Sequence, residues 1–247
     1  MNRLLLASRT RLHGMILVLS LVLGTASTWA SEYFPLPEKL EDNVDFWVKI
    51  YTQYTTDDVV IHDSEYPRVV YTVVNMSDGF PEDAGFYAKW NETGKIMREY
   101  QSILRQLADM PKPIRVDDLG PQQRHVYILW AEFEIENKFS IAASSIRRQR
   151  GLRDRFRLSI QRSGIYMDDI IRIFQSHDLP LELCYLPHVE SSFNYKAYSK
   201  VGAAGLWQFT RYTGRIYMTI SNAVDERLDP LVATDAAARL LKHNYNE

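Results

Sequence analysis

The sequence contains one cysteine, Cys184, among its 247 residues. A single thiol cannot form an intramolecular disulfide, and we expect Cys184 to be buried and unreactive. The six histidines are scattered, so no cluster of cysteine and histidine suggests a metal site. No motif indicates a cofactor, and we expect none.

Long apolar runs are also missing, apart from one near the start of the chain. Three arginines precede the run 15–24, and small residues surround Ala30. This order predicts a signal peptide, residues 1–30, cleaved near Ala30 and Ser31. The run is short for a membrane span, although a retained N-terminal anchor is the alternative. No cysteine near the predicted cleavage site could carry a lipid. We therefore expect export to the periplasm, with association to the cell envelope as a further hypothesis.

The chain has no excess of basic residues. Removal of residues 1–30 takes away three arginines and no acid, which leaves 26 basic and 31 acidic residues and a net charge of −5. Nucleic-acid binding proteins usually carry a positive field. The charge therefore disfavours a nucleic-acid partner.

The residue pattern predicts a mainly α fold with a small β part, of the α+β class. Two β-like runs, 59–61 and 69–74, predict a hairpin. Apolar periodicity predicts helices over 84–110 and 122–140, and a short helix over 46–51. We expect an N-terminal helical region with this hairpin, residues 31–164, followed by a second domain, residues 165–247.

One segment, Arg147–Arg162, carries seven arginines and a single acid, Asp154. It is either a solvated helix face or a cationic strip that faces an anionic substrate. The sequence leaves both interpretations open.

Glu190 is the best candidate for chemistry. If a helix follows Pro180, then Leu183, Leu186 and Pro187 share one face with Glu190. A carboxyl group on an apolar face without a basic neighbour is desolvated, which raises its pKa and suits a general acid. The alternative is a carboxylate that caps a turn or pairs with a distant arginine. His188 points away from Glu190 on such a helix, so we expect it to be structural.

The residues after Glu190 form a longer pattern: Glu190-Ser191, then Ser199, then Gly202-Ala-Ala-Gly205-Leu-Trp-Gln208. This pattern resembles the lytic transglycosylases of the goose-type lysozyme clan. Together with the run Asp225–Pro230, it looks most like the membrane-bound lytic murein transglycosylase D branch of that family. The resemblance covers residues 179–241 without a gap.

The resemblance implies a lysozyme-like helical catalytic domain over 165–247, with Gln208 on a helix and peptidoglycan glycan strands as substrate. It implies a lyase that cleaves the β-1,4 bond between N-acetylmuramic acid and N-acetylglucosamine and leaves 1,6-anhydro ends. Glu190 would be the general acid and then the base. Ser191 would support it, and Ser199 and Gln208 would bind the N-acetyl group or the catalytic carboxyl. Trp207, Tyr212 and Tyr217 are candidates for sugar stacking, with core packing as the alternative.

Other acids near the motif are expected to be surface or capping groups: Glu182, Asp225, Glu226 and Asp229. A Tyr-Asn-x-Gly motif, which supplies an active-site tyrosine in the family, does not follow within the sequence. We therefore expect the 165–247 domain to be truncated. Two further hypotheses follow, a hydrolytic muramidase like the goose-type lysozymes and a non-catalytic peptidoglycan-binding protein.

Overall fold

The structure, a computed structural model, describes residues 33–81 and 83–246. The chain divides into two units, residues 1–37 and 38–247, and the second contains all the elements discussed below. The predicted signal peptide lies outside the described residues. In the described part of the chain, no helix is long and apolar enough to cross a membrane. The predicted boundary between residues 164 and 165 stays a prediction.

The second unit is mainly helical, as predicted, with one small antiparallel sheet. Its regular elements are α1 (Glu41–Thr52), β1 (Asp58–Asp63), β2 (Val70–Asn75), α2 (Phe86–Asp109), α3 (Pro121–Leu129), α4 (Lys138–Ser145), β3 (Ile146–Arg150), α5 (Arg153–Ser163), α6 (Met167–Ser176), α7 (Leu186–Glu190), α8 (Arg211–Tyr217) and α9 (Pro230–Asn246). Short 3-10 turns lie at Glu38–Leu40, Val116–Asp118, Leu181–Tyr185 and Glu226–Leu228.

The predicted hairpin is confirmed and gains a third strand. β1 pairs with β2 on one side and with β3 on the other, both antiparallel, so the strand order is β2-β1-β3. Every residue of β1 after Asp58 is buried, which fits a central strand. The sheet and helices α2, α3 and α4 enclose one core, in which Trp130 is fully buried and donates its indole N–H to Tyr71 Oη at 3.2 Å.

The arginine-rich segment, which the sequence left open as a solvated helix face or a cationic strip, begins as the strand β3. The edge of β1 provides hydrogen-bond partners that outweigh the segment's polar composition. The long side chains do not protrude freely, because Arg148 lies over Trp90 at 4.2 Å and Arg150 lies over Phe86 at 4.8 Å. Two guanidinium groups that a solvated helix face would leave in water therefore form cation–π contacts.

The predicted helix over 122–140 is interrupted. α3 ends at Leu129 and α4 begins at Lys138. Asn137 adopts a left-handed conformation with φ of 56°, which a continuous helix cannot contain. Lys138 Nζ donates to the carbonyl oxygens of Trp130 and Phe133 at 2.5 and 3.0 Å, so the break is closed by specific hydrogen bonds.

The junction between β3 and α5 connects the sheet to the C-terminal half of the unit. Gly151 N–H donates to Asp58 O at 2.9 Å, and Leu152 N–H donates to Ile50 O at 2.8 Å. A Cβ atom at Gly151 would overlap the carbonyl oxygens of Tyr54 and Thr55. The absence of a side chain at this position therefore lets α5 start directly against the end of α1.

We predict that Gly151→Ala lowers the free energy of unfolding by about 1–3 kcal/mol, because the backbone of residues 54 and 55 must move to accept the methyl group. Urea denaturation would measure the change. Gly164→Ala is the matched control, since a Cβ atom there would meet its nearest neighbour, Gln161 O, at an ordinary 3.7 Å. Equal stability of the two variants would contradict this account of the junction.

Candidate functional site

Glu190 is the last residue of α7 and is exposed. The expected long helix after Pro180 is instead a 3-10 turn, Leu181–Tyr185, followed by the five residues of α7. Val189 beside Glu190 is 63% exposed. The expectation that an apolar helix face desolvates Glu190 is therefore wrong for this structure.

The chain turns sharply after Glu190 because a helix cannot continue there. Ser192 and Phe193 both have positive φ, 53° and 52°. The Phe193 ring is buried and lies 4.5 Å from the His188 ring. Burial of Phe193 holds a backbone conformation that is otherwise unfavourable for a residue with a side chain. The turn thus presents the Glu190 carboxyl group at the end of a helix rather than along its side.

His188 is structural, as its position in the sequence predicted. Its Nδ1 atom lies 2.6 Å from Ser159 Oγ of α5, and its ring also packs against Phe156 at 5.4 Å. Burial lowers the pKa of His188, which favours the neutral ring. The pair connects α7 to α5. Cys184 is buried as expected, and burial raises the pKa of its thiol to about 11.

Ser191 and Ser199 form hydrogen bonds that hold the loop 191–210. Ser191 Oγ donates to Leu206 O at 2.8 Å, which ties the residue after Glu190 to the glycine-containing segment. Ser199 Oγ accepts from Ala203 N–H at 2.9 Å, which closes the turn between them. Neither distance joins a serine to the Glu190 carboxyl, so their predicted roles at the substrate stay predictions.

Gln208 does not lie on a helix, contrary to expectation; α8 begins three residues later, at Arg211. Its φ is 49°, and its Nε2 atom donates to Gly205 O at 2.9 Å. Gly202 and Gly205 have φ of 84° and 79°, a region that glycine tolerates. A Cβ atom at Gly205 would overlap Arg227 O. Gly205 therefore occupies a close approach that has no room for a side chain.

Arg227 holds this loop from behind. Only 1% of Arg227 is exposed, and its Nη1 donates to the carbonyl oxygens of Gly202 and Phe209 at 2.8 and 3.0 Å. Its Nε and Nη2 donate to the two carboxylate oxygens of Asp225 at 2.8 and 2.7 Å. These hydrogen bonds hold the pKa of Asp225 below its usual range. Asp225 is therefore a structural partner, and it also caps the 3-10 turn that follows it.

The candidate sugar-binding aromatics have different positions. Trp207 stacks on Phe174 at 5.3 Å and donates its indole N–H to Thr234 Oγ1 at 2.9 Å. Tyr217 packs against Phe209, with ring centroids 6.5 Å apart, while Tyr212 is 82% exposed. Packing thus accounts for Trp207 and Tyr217, and sugar contact by any of the three stays a prediction.

Glu190 and Gln208 line two pockets together. The α9-side pocket, about 280 Å³, is mostly apolar and contains Trp207. The α5-side pocket, about 390 Å³, is more polar, and its wall consists of Tyr51, Leu152, Arg155, Phe156, His188, Val189, Ser191, Ser192, Ala197 and Tyr198. Glu190 thus lies at the junction of two adjoining depressions, an arrangement suited to an extended substrate.

One residue of the α5-side pocket, Tyr51, was not expected at the site. Tyr51 comes from α1 and packs on Phe156 of α5 at 5.4 Å. Burial raises the pKa of Tyr51, and the charge of Glu190 raises it further. The sequence predicted a short helix over 46–51, which contains Tyr51, and it also showed the arginine-rich segment. Their approach to Glu190 is tertiary, and no local pattern signals it.

In the part of the chain that the structure describes, no group of three or more His, Cys, Asp or Glu side chains could hold a metal ion. The Glu190 carboxyl group can transfer a proton, and the Gln208 amide can form hydrogen bonds.

Comparison with known proteins agrees with the pattern around Glu190. Residues 173–247 match the family model described as "Transglycosylase SLT domain". The chain is 35% identical over 160 residues to "Membrane-bound lytic murein transglycosylase D" of Escherichia coli (strain K12), covering 61% of this chain and 35% of that protein. It is also 35% identical over 83 residues to a "Putative tributyltin chloride resistance protein" of Alteromonas sp. (strain M-1), covering 33% of this chain and 40% of that protein.

These matches confirm the resemblance that the sequence indicated. Residues 173–247 contain Glu190, Ser199, Gln208 and Arg227, whereas Tyr51 and the α5 side chains of the α5-side pocket lie outside them. The chain spans about 35–40% of the length of the curated relatives it matches.

We predict that Arg227→Met destabilises the protein by about 3–5 kcal/mol, because the change removes four side-chain hydrogen bonds and leaves the Asp225 carboxylate without its buried cation. Arg211→Met is the control. Arg211 faces the same Asp225 carboxylate at 3.9 Å but is 52% exposed, so its loss should cost less than about 1 kcal/mol. Thermal and urea unfolding would measure both variants. A similar loss of stability in both variants would contradict the view that the buried hydrogen bonds of Arg227 stabilise the loop.

Proposed function

We propose that this protein is a peptidoglycan lytic transglycosylase that cleaves the β-1,4 bond between N-acetylmuramic acid and N-acetylglucosamine and leaves 1,6-anhydromuramic acid ends. The observation that carries the proposal is the position of Glu190. Glu190 lines both pockets together with Gln208, and both residues lie within the segment that matches the transglycosylase family model.

The number of carboxyl groups supports this chemistry. Among the described residues that line the two pockets, Glu190 is the only acid. Most glycosidases use a pair of carboxyl groups, one of which is a nucleophile or activates water. A reaction with a single carboxyl group needs another source of stabilisation for the positive charge at the anomeric carbon, and the substrate's N-acetyl group can supply it.

The proposed reaction proceeds in two steps. Glu190 donates its proton to the bridging oxygen, and the bond from that oxygen to C1 of the muramic acid breaks. The N-acetyl oxygen stabilises C1. The Glu190 carboxylate then takes the proton of the C6 hydroxyl while O6 bonds to C1, which closes the anhydro ring and restores the acid.

The loop contributes positioning and substrate contacts. Gln208 donates through Nε2 to Gly205 O, so its side-chain oxygen remains an acceptor for an amide N–H of the sugar. Ser199 accepts from Ala203 and retains its hydroxyl proton for donation. Trp207 lines the α9-side pocket and offers an apolar surface to a sugar ring. Ser191 acts on Glu190 through the backbone, by its bond to Leu206 O.

Hydrolysis is the second candidate, and the exposure of Glu190 favours it. Water can reach an exposed carboxyl group, and a general base beside water would give a muramidase of the goose-type lysozyme kind. Mass spectrometry of the products distinguishes the two reactions, because the anhydro product is lighter by one water.

We predict that Glu190→Gln lowers the release of soluble fragments from purified sacculi by about 100- to 10,000-fold, since the amide keeps the shape but cannot transfer the proton. Glu182→Gln is the control, because Glu182 precedes the same short helix and lines neither pocket. Circular dichroism would confirm that both variants fold. Undiminished release by Glu190→Gln would eliminate Glu190 as the acid.

We further propose that the protein works in the cell envelope after export. The relatives from Escherichia coli are named as membrane-bound murein enzymes, and the start of this chain has the composition of a signal peptide.

The mass of the protein recovered from the periplasm tests the proposed export. We predict that the exported form begins near Ser31, after cleavage following Ala30. An intact start in a protein that stays in the cytoplasm would contradict this prediction.

A further inference from the structure

The arginine-rich segment divides into bound and unbound charges in the structure. Five of its seven arginines contact a described partner. The contacts are Arg147 with Ser144 O, Arg148 with Trp90 and Thr93, Arg150 with Thr56 O and Phe86, Arg153 with Asp154, and Arg162 with Ser192 O. A solvated helix face therefore does not describe most of this segment.

Arg155 differs from these five. It is exposed, and within residues 33–81 and 83–246 it forms neither a hydrogen bond nor an ion pair. It nevertheless lines the α5-side pocket together with Glu190. Its charge adds to burial in lowering the pKa of Arg150. Arg157 is also exposed but does not line the pocket.

The position of Arg155 is held by the same contacts that hold Glu190. The start of α5 is fixed by Leu152 N–H to Ile50 O and by Arg153 N–H to Tyr54 O, at 2.8 and 2.9 Å. One turn further along α5, Ser159 bonds to His188 of α7. Arg155 is thus carried by a helix whose placement relative to Glu190 is fixed on both sides.

An unpaired guanidinium group in this pocket has two possible partners. One is Glu190 itself, but no ion pair within 4.0 Å joins the two side chains. The other is an anionic group of the substrate. Arginine suits this role because its planar fork matches the two oxygens of a carboxylate.

We propose that Arg155 is a specificity-determining residue that binds a carboxylate on the branch of the glycan, carried by the lactyl group or its peptide stem. The chain would thereby select acidic murein over uncharged polymers of N-acetylglucosamine. This inference rests on the proposed function for the identity of the glycan. The proposal assigns substrate binding to one arginine of the arginine-rich segment, whereas the sequence analysis considered a cationic strip along the whole segment.

The test measures binding to sacculi in the Glu190→Gln background, so that the glycan is not consumed. Arg155→Ala should bind native sacculi about three- to tenfold more weakly, as for loss of one charge-assisted hydrogen bond at an exposed site. Arg155→Lys should recover only part of the binding, because it keeps the charge without the planar fork. Arg157→Ala on the same helix is the matched control and should bind like the parent.

A second substrate identifies the anion. Sacculi whose carboxyl groups have been converted to neutral amides should bind the parent as weakly as native sacculi bind Arg155→Ala. Amidation should then have little further effect on that variant. Equal binding of Arg155→Ala and the parent to native sacculi would overturn the proposal. An equal loss in Arg157→Ala would also overturn it, since the effect would then be one of general charge.

The outcome is separable from that of the proposed reaction. Cleavage is read with the chain that retains Glu190, by the release of anhydro-terminated fragments. If the chain does not cleave sacculi but Arg155→Ala still binds them more weakly than its parent, the proposed reaction is contradicted and carboxylate recognition is supported. If the chain cleaves sacculi but Arg155→Ala and its parent bind them equally, the proposed reaction is supported and carboxylate recognition by Arg155 is contradicted.

Discussion

The hydrogen bonds of one buried side chain, Arg227, hold the candidate site together. Its guanidinium group joins Asp225 to two carbonyl oxygens, those of Gly202 and Phe209, across a loop with little regular structure. A loop of this kind has many backbone groups without helix or strand partners, and those groups need other donors. Arg227 supplies donors to two of them at fixed positions. The conformation of Gln208, which lies between those two carbonyls in sequence, depends on the same contacts.

The second constraint lies on the other side of Glu190. α7 has only five residues and so little hydrogen bonding of its own. Its position comes from tertiary contacts, the bond of His188 to Ser159 and that of Arg162 Nη1 to Ser192 O at 3.2 Å. The carboxyl group is therefore located by α5 and by the loop, and the site can be precise although its own helix is short. Precise placement of this kind is what proton transfer to a bound sugar requires.

The sequence predicted the elements whose pattern is local. Apolar periodicity indicated α2, alternating β-branched residues indicated the hairpin, and the spacing from Glu190 to Gln208 indicated the family. It did not predict β3, because a strand of Ile146–Arg150 has no apolar alternation and forms only against the edge of β1. It also placed Gln208 on a helix, since a positive φ at a non-glycine residue has no composition signal. The contribution of Tyr51 and Arg155 to the pocket depends on the whole fold.

The separation of Tyr51 from Glu190 along the chain has a consequence for how the protein is made. The two residues lie on one pocket wall, yet about two thirds of the 38–247 unit separates them in sequence. Contacts between distant residues close a long loop and form late, after local helices and the hairpin. During synthesis α1 therefore leaves the ribosome long before its partner in the pocket exists. The candidate site, which needs both α1 and the segment around Glu190, therefore assembles only after most of the 38–247 unit has been synthesised.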